Sequence, residues 1–307
     1  MYLRPFEYIV TLAELKSFSK AANALYISQP SLSQYISNFE EKLGLLLIER
    51  TTTHFELTYA GELFVEAARR ILDLEDGLMR QFEDIKGLKK GRVCLGIPRH
   101  RGSLILPSIL PAFYKKYPGI EVALTEGSSA ELEELTVQGK TDVTIINLPV
   151  SSDQLVYETL TNEEVLVIVP PHHPLKERIS EFPQNFLNLP VIQLSELRDN
   201  YFILRRNGTR LRQVTNELFL QAGFTPKVRL ESSSMQTIKN LVATGVGVSF
   251  VVDTWVEAPP TPLFFSLGNP QKTTLQLVAM YREGKYLSRA TRAFIDVAKE
   301  VLNKAEE

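Results

Sequence analysis

The sequence predicts a helical N-terminal domain, one long connecting helix and a larger α/β domain. Apolar residues recur at spacings of three and four over residues 1–58, and again without an interrupting proline over 59–90. From Gly91 onward, short apolar runs alternate with helical patterns, which is typical of parallel strands covered by helices. We therefore expect domains at 1–58, 59–90 and 91–307, and a fold class of α followed by α/β.

The composition indicates a globular chain. Its 307 residues are 44% hydrophobic and carry a formal net charge of −2, which excludes disorder as the dominant state. No run of about 18 apolar residues is present, and the N-terminus lacks a basic start followed by an apolar run. A single cysteine excludes an intramolecular disulfide framework and fits a reducing compartment. We expect a cytoplasmic protein that neither crosses a membrane nor carries a signal peptide.

The N-terminal domain contains a helix with clear boundaries. Ser28 is a candidate N-cap, and Pro30 fits the first turn of a helix, where a missing N–H costs little. Gly44 ends the pattern as a glycine just beyond a helix does. One face of this helix is apolar, at Leu32, Ile36, Phe39 and Leu43.

The long helix begins after Thr58, a candidate N-cap, and carries one continuous apolar seam. A seam of this length is usually buried against another helix. Because no second long helix lies nearby in the sequence, a helix-to-helix dimer is favoured over a packing face inside one chain. The seam comprises Leu63, Ala67, Ile71, Leu74, Leu78, Phe82, Ile85 and Leu88.

The α/β domain starts with a βαβαβ pattern. Strands are predicted at 92–97, 121–126 and 142–147, with helices at 104–117 and 130–138. Further strands are predicted at 164–169, 191–194, 200–204, 227–231, 246–252, 263–267 and 274–281, and further helices at 209–222, 235–244 and 287–302.

The segment 17–34, SFSKAANALYISQPSLSQ, closely resembles the helix-turn-helix of LysR-type transcriptional regulators. The stretches FEEKLG at 39–44, IER at 48–50 and LTYAGE at 57–62 continue the same family pattern in the correct order. The resemblance implies a winged helix-turn-helix, a linker helix that dimerises, and a two-lobed effector domain similar to periplasmic solute-binding proteins. It covers the whole chain and implies a regulator rather than an enzyme.

The resemblance implies that the N-terminal domain binds double-stranded operator DNA. Glutamine can bond adenine bidentately, and serine can bond base edges or phosphate. The alternative is an ordinary solvated helix face. Residues 1–60 carry five basic and six acidic side chains, an unusual balance for a DNA-binding domain. The expected DNA contacts are Ser19, Lys20, Gln29, Pro30, Ser31, Ser33, Gln34, Asn38, Arg50, Thr53 and His54.

The resemblance also implies a small-molecule effector between the two lobes. Lobe I is expected at 91–163 and 268–307, and lobe II at 164–267. Helix N-termini and arginines at the cleft favour a carboxylate. The alternative is that the serines are N-caps and the arginines lie on the surface. The expected effector contacts are Arg99, Arg101, Gly102, Ser103, Ser128, Ser129, Asn147, Phe202, Ile203 and Ser233.

Other chemistry finds little support in the sequence. Cys94 lies in an apolar strand, and no second cysteine is present for the disulfide switch of peroxide-responsive family members. The four histidines lack metal-ligand spacing, and no nucleotide-binding loop or catalytic elbow occurs, so we expect no metal and no cofactor. A solute-binding module without DNA binding and an enzyme with a regulatory helical domain remain the alternatives. The resemblance further implies tetramers and contact with RNA polymerase.

Overall fold

The computed structural model describes residues 3–50, 55–85, 91–179, 189–252, 262–268 and 273–303. The chain divides into two compact units, Met1–Gly87 and Leu88–Glu307. The first unit contains helices α1 (Arg4–Leu15), α2 (Phe18–Ala24), α3 (Gln29–Leu43) and α4 (Tyr59–Ile85), and strands β1 (Ile48–Arg50) and β2 (Phe55–Leu57).

The helix boundaries of the first unit follow local sequence signals. The Ser28 side chain accepts a hydrogen bond from the Ser31 amide at 3.3 Å and begins α3, as predicted. Gly44 ends α3 with φ +69°, a left-handed conformation that glycine adopts without strain. The Thr58 hydroxyl accepts from the Gly61 amide at 3.0 Å at the start of α4, also as predicted. Of the expected long helix, residues 86–90 lie outside the described residues.

The core of the first unit fixes the orientation of α3. Leu32 and Ile36 are fully buried and pack in one cluster with Ile9 and Leu12 of α1. Glu40 is also buried, and its carboxylate accepts hydrogen bonds from the amides of Leu47 and Ile48 at 2.8 and 3.1 Å. These contacts hold α3 against the rest of the unit, so that the opposite face of α3 is exposed.

The second unit is the α/β domain. Its strands are β3 (Gly91–Pro98), β4 (Ile120–Gly127), β5 (Val143–Asn147), β6 (Leu155–Val169), β7 (Val191–Ile192), β8 (Tyr201–Arg205), β9 (Lys227–Ser232), β10 (Ser249–Val252), β11 (Leu263–Leu267) and β12 (Thr274–Arg282). Its helices are α5 (Arg99–Lys116), α6 (Ser129–Val137), α7 (Arg210–Gln221), α8 (Met235–Ala243) and α9 (Arg289–Asn303). The described strands form an eight-stranded sheet in the order β4-β3-β5-β12-β6-β11-β7, with β10 also paired to β6, and a two-stranded parallel sheet β8-β9.

Strand β6 joins the two halves of this unit. Residues 155–164 pair with β12, whereas residues 165–169 pair with both β10 and β11. The sequence predicted a strand only over 164–169, because the preceding residues are mostly polar and show no apolar run. The whole of β6 spans 15 residues, and Glu163 pairs with β12 two residues before the pairing with β10 begins.

Helix α5 begins five residues earlier than expected. The sequence placed residues 98–103 in a turn, but the helix starts at Arg99, directly after Pro98. Pro98 has no side-chain oxygen that could cap the first turn, and it makes no side-chain hydrogen bond there. Gly102 and Ser103 therefore lie within the helix, close to its N-terminus.

Candidate DNA-binding and effector-binding sites

The exposed face of α3 carries most of the residues expected to contact DNA. Gln29, Pro30, Ser31, Gln34 and Asn38 are exposed, and Ser33 is half-buried. The Gln34 amide donates to the Asn38 side-chain oxygen at 2.8 Å, which orients both side chains along one face of the helix. The structure thus brings these six residues together at the solvent side of α3.

The remaining expected DNA contacts lie outside α3. Ser19 and Lys20 are exposed in the first turn of α2, where the Lys20 amide donates to the Ser17 hydroxyl at 3.4 Å. Arg50 ends β1, and its side chain lies outside the described part of the structure. Thr53 and His54 lie outside the described residues altogether.

The first turn of α5, which contains several of the expected effector contacts, has no side-chain cap at its N-terminus. Ser103 is exposed, and its hydroxyl donates to the His100 carbonyl oxygen of the same helix at 3.0 Å. Gly102 is buried, and a Cβ there would lie 3.3 Å from a methyl carbon of Ile97, so a larger residue would crowd the strand below. Arg99 is exposed and lies 3.6 Å from Glu126.

Arg101 does not offer a free positive charge to a ligand. It is 3% exposed and forms a two-pronged ion pair with the Glu163 carboxylate, one contact measuring 2.8 Å. It also donates to the Asn147 side-chain oxygen at 2.8 Å, and the Asn147 amide donates to Glu163 at the same distance. The expectation that Arg101 attracts an anion directly is corrected, because its charge is balanced inside the protein.

The N-terminus of α6 is closed by its own residues. The Ser128 hydroxyl accepts from the Glu131 amide at 3.3 Å, and the Glu131 carboxylate accepts from the Ser128 amide at 2.8 Å. This reciprocal capping box satisfies two backbone donors. Ser128 is therefore an N-cap, which was the alternative interpretation of this serine, and Ser129 beside it is half-buried.

In lobe II, two expected contacts lie in the hydrophobic core. Phe202 and Ile203 are both fully buried, and Phe202 stacks among Phe219 and Phe250. The Ile203 amide donates to the Val248 carbonyl oxygen at 2.9 Å. The side chains of Phe202 and Ile203 are thus core residues of the β8 strand and are removed from the effector contacts.

The sequence missed Arg205, at the end of β8. Arg205 is 8% exposed and donates to the carbonyl oxygen of Ser233, whose own side chain is exposed. Burial lowers the pKa of the Arg205 guanidinium. Enclosure by protein atoms, with the positive charges of Arg101 and Arg205, lowers the pKa of His100 to about 4, although His100 keeps solvent-exposed surface. Two guanidinium groups therefore lie near His100 in the first turn of α5, and that of Arg101 is already paired with Glu163.

A second ion pair links lobe I to lobe II. Arg210, the first residue of α7, donates to the Glu133 carboxylate of α6 at 2.6 Å. Glu133 also accepts a hydrogen bond from the Ser151 amide at 2.8 Å. Both side chains are largely buried, at 15% and 8% exposed. The sequence gave no signal for this pair, because its members are 77 residues apart.

Some further expectations concern chemistry outside these sites. Cys94 is half-buried, and its backbone amide donates to the Asp142 carboxylate at 2.8 Å. Within the described residues, no group of three or more histidine, cysteine, aspartate or glutamate side chains is arranged to hold a metal ion. In the same part of the chain, no helix is long and apolar enough to cross a membrane.

Comparison with known proteins identifies both units. Residues 3–62 match the family described as bacterial regulatory helix-turn-helix protein, lysR family, and residues 86–303 match the LysR substrate binding domain. The chain belongs to the LysR family. It is a LysR-type DNA-binding transcriptional regulator with an effector-binding domain, and this family comprises regulators rather than enzymes.

Individual relatives agree with this assignment. The HTH-type transcriptional regulator YcgK of Bacillus subtilis is 30% identical, over 99% of this chain and 96% of its own length. The hydrogen peroxide-inducible genes activator of Haemophilus influenzae is 30% identical, over 82% of this chain and 80% of its own. The structure of full-length OxyR from Pseudomonas aeruginosa, a variant, superposes with a TM-score of 0.74 at 26% identity, covering 97% of this chain and 95% of that one. The winged helix-turn-helix and the two-lobed α/β domain expected from the sequence are confirmed.

Proposed function

We propose that this LysR-type regulator reads a dyad-symmetric operator through the exposed face of α3. The observation that carries the proposal is the division of α3 into a buried stripe, Leu32 and Ile36, and an exposed polar face that begins at Gln29. A helix with this division can enter the major groove and direct short polar side chains to base edges. Lys20 and Arg50 are the residues expected to contact phosphate.

Pairing of α4 helices between two subunits would relate the two DNA-binding domains by a two-fold axis, which matches the two-fold symmetry of the operator. Leu63, Leu74 and Phe82 of the predicted seam are 51%, 74% and 48% exposed in the single chain. A row of large apolar side chains exposed along one helix marks a protein interaction surface. Two dimers joined through their effector domains would form a tetramer, and each dimer would place its α3 helices at least one DNA turn, about 34 Å, apart.

The dimer proposal is tested by a charge at the most exposed leucine of the seam. Leu74→Asp protein is expected to lose the α4 dimer while remaining folded, because Leu74 contributes little to the core of its own chain. Leu220→Asp is the control, since Leu220 is 81% exposed but lies in α7 of the effector domain. Mass is measured by light scattering and folding by circular dichroism. A folded Leu74→Asp protein of wild-type mass contradicts pairing through this seam.

The effector proposed for the cleft is a small carboxylate. An uncapped helix N-terminus offers backbone N–H groups and a partial positive charge to an anion. At α5 this end lies within the electrostatic influence of Arg205 from lobe II. A carboxylate bound there would contact the first turn of α5 and Ser103 on one lobe, with Arg205 and the Ser233 turn on the other. Ser129 and Asn147 lie at the ends of neighbouring elements of lobe I.

Ligand binding can move the DNA-binding domains only if the ligand prefers one arrangement of the lobes. The ion pair between Arg210 and Glu133 crosses between the lobes and stabilises the arrangement seen here. A carboxylate that also bridges the lobes would favour this arrangement further. Such a protein works in the cytoplasm, where its operator lies, and passes its signal to RNA polymerase.

The effector proposal is tested by thermal unfolding of the full chain against carboxylates, amino acids and uncharged analogues. A ligand raises the melting temperature according to its concentration relative to Kd. Arg205→Gln is expected to weaken binding of the selected carboxylate by about 10- to 150-fold, because one charge-assisted hydrogen bond is lost. Arg92→Gln is the control, since Arg92 is exposed at the start of β3, at the opposite end of that strand from α5. A neutral or cationic effector, or equal affinity in Arg205→Gln protein, contradicts the carboxylate assignment.

A further inference from the structure

The turn between α2 and α3 contains a tyrosine in a backbone conformation that glycine usually takes. Tyr26 has φ +56°. Its amide donates to the Asn23 carbonyl oxygen at 3.2 Å, and the Ile27 amide donates to the Ala22 carbonyl oxygen at 3.0 Å. These two bonds form the Schellman pattern that closes a helix, and its left-handed residue is most often glycine because a Cβ is strained there.

Packing of the Tyr26 side chain does not compensate for this backbone strain. Tyr26 is 97% exposed, the highest value among the large apolar and aromatic side chains that are exposed in the described residues. A left-handed tyrosine is therefore costly and adds nothing to the core of its unit. Strained residues that the core does not require are found preferentially where a ligand is bound.

The position of Tyr26 indicates which ligand. It lies two residues before Ser28, the N-cap of α3, and three before Gln29, the first exposed residue of the DNA-facing helix. In a helix-turn-helix, the N-terminal residues of the second helix enter the major groove while the first helix crosses the backbone, so we place the turn between them near the edge of that groove. Tyrosine hydroxyls are among the donors that proteins use toward phosphate oxygens.

We propose that Tyr26 donates its phenolic hydroxyl to a DNA phosphate at the edge of the groove that α3 enters. The left-handed backbone holds the ring outward from the turn, so the contact fixes the register of α3 on the duplex. A neutral donor binds phosphate without adding positive charge. This fits a domain in which acidic residues outnumber basic ones over residues 1–60. The inference rests on the proposed placement of α3 in the major groove.

Tyr26→Phe in the full chain tests the proposal, because it removes the hydroxyl and keeps the ring. The probes are an operator selected by the wild-type protein from random-sequence duplexes and an unrelated duplex of equal length. We expect about 2- to 10-fold weaker binding to both, since a phosphate contact carries no sequence information. The slope of log Kd against log salt stays unchanged, because a neutral donor releases no counterion. Tyr114→Phe, at an exposed tyrosine of α5, is expected to bind as wild type.

A second variant separates the role in binding from the role in folding. Tyr26→Gly relieves the strained backbone, so its melting temperature is expected to equal or exceed that of the wild type. Its DNA binding is expected to fall at least as far as that of Tyr26→Phe. Stability is then kept or raised while affinity falls, which a purely structural tyrosine would not produce.

Gln29→Ala, titrated in parallel, separates this inference from the proposal on which it rests. If Gln29→Ala loses operator affinity while Tyr26→Phe binds both duplexes as wild type, the phosphate contact is overturned and α3 stays in the groove. If neither variant loses affinity, both proposals are overturned. A loss in Tyr26→Phe that is confined to the operator also overturns the phosphate contact, because it indicates contact with bases.

Discussion

The exposed face of α3 and the cleft of the effector domain contain similar polar residues but use them differently. On α3, Gln29 and its neighbours point to solvent, and their few hydrogen bonds run along the same helix. In the cleft, Arg101, Asn147 and Glu163 bond to one another across the fold, and Ser128 closes its own helix. The exposed face of α3 is therefore positioned by the core beneath it, whereas most of the polar groups expected at the cleft already stabilise the protein.

This difference separates what a substitution at each site should change. A polar residue on α3 can be removed with little effect on folding, because no buried partner is left behind. Removing a member of the cleft network leaves a buried donor or charge without its partner, which costs free energy of unfolding. Loss of effector response in a cleft variant must therefore be read together with its stability.

The largest effect is expected at Glu163. Glu163→Ala leaves the buried Arg101 guanidinium without its carboxylate, and breaking such a pair costs about 3–5 kcal/mol of unfolding free energy. Glu126→Ala is the control, because the exposed Arg99–Glu126 pair at 3.6 Å contributes about 0–1 kcal/mol. Both values are measured by urea unfolding. A loss below about 1 kcal/mol in Glu163→Ala would show that the pair is dispensable for the fold.

The next effect is expected on DNA affinity rather than stability. Gln29→Ala and Ser33→Ala should each weaken operator binding by about 1–3 kcal/mol if they contact base edges. Their urea midpoints should stay close to that of the wild type, because Gln29 is exposed and Ser33 half-buried. Fluorescence anisotropy with operator and unrelated duplexes measures the affinities. Unchanged discrimination between the two duplexes would exclude these residues from sequence reading.

Smaller losses of unfolding free energy are expected at two serines of the effector domain, which lie near the N-termini of α6 and α5. Ser128→Ala removes the N-cap of α6 and should cost about 0.5–2 kcal/mol of unfolding free energy. Ser103→Ala removes an exposed hydroxyl that bonds only within its own helix turn, so stability should be nearly unchanged. Urea unfolding of both variants decides the matter. Equal stability losses would contradict the distinction between a capped α6 and an uncapped α5.

The smallest expected effect is on the pH dependence of folding stability, through His100. Because the pKa of His100 is lowered to about 4, the folded protein favours the neutral imidazole, while the unfolded chain takes up a proton near pH 6.5. The contribution of His100 is thus fully present above pH 6.5 and is lost as the pH falls toward 4. Stability measured at pH 7.5 and 5.5 should fall less in His100→Gln protein than in wild type. Identical pH dependence in the two proteins would contradict the lowered pKa.

The sequence predicted those features that depend on residues close together in the chain. The cap at Ser28, the stripe of Leu32 and Ile36, and the left-handed Gly44 all lie within one helix, and each was found as expected. The helix-turn-helix motif made the exposed face of α3 recognisable because its spacing is local.

Features that depend on distant residues could not be predicted in the same way. Arg101 looked like a free cation, since its partner Glu163 lies 62 residues away. Ile203 looked like part of the cleft, but the sequence does not show that Val248 pairs with its backbone. Tyr26 gave no signal either, because a left-handed tyrosine can be recognised only from the backbone angles.

The central claim, that DNA is read by the exposed face of α3 and not by the polar residues of the effector cleft, is tested most directly by footprinting. Wild-type, Gln29→Ala and Ser103→Ala proteins are compared on the selected operator at one concentration. We expect dyad-symmetric protection by wild-type and Ser103→Ala proteins, and loss of protection in Gln29→Ala protein that is still folded. Full protection by Gln29→Ala protein, or loss of protection in stable Ser103→Ala protein, would contradict it.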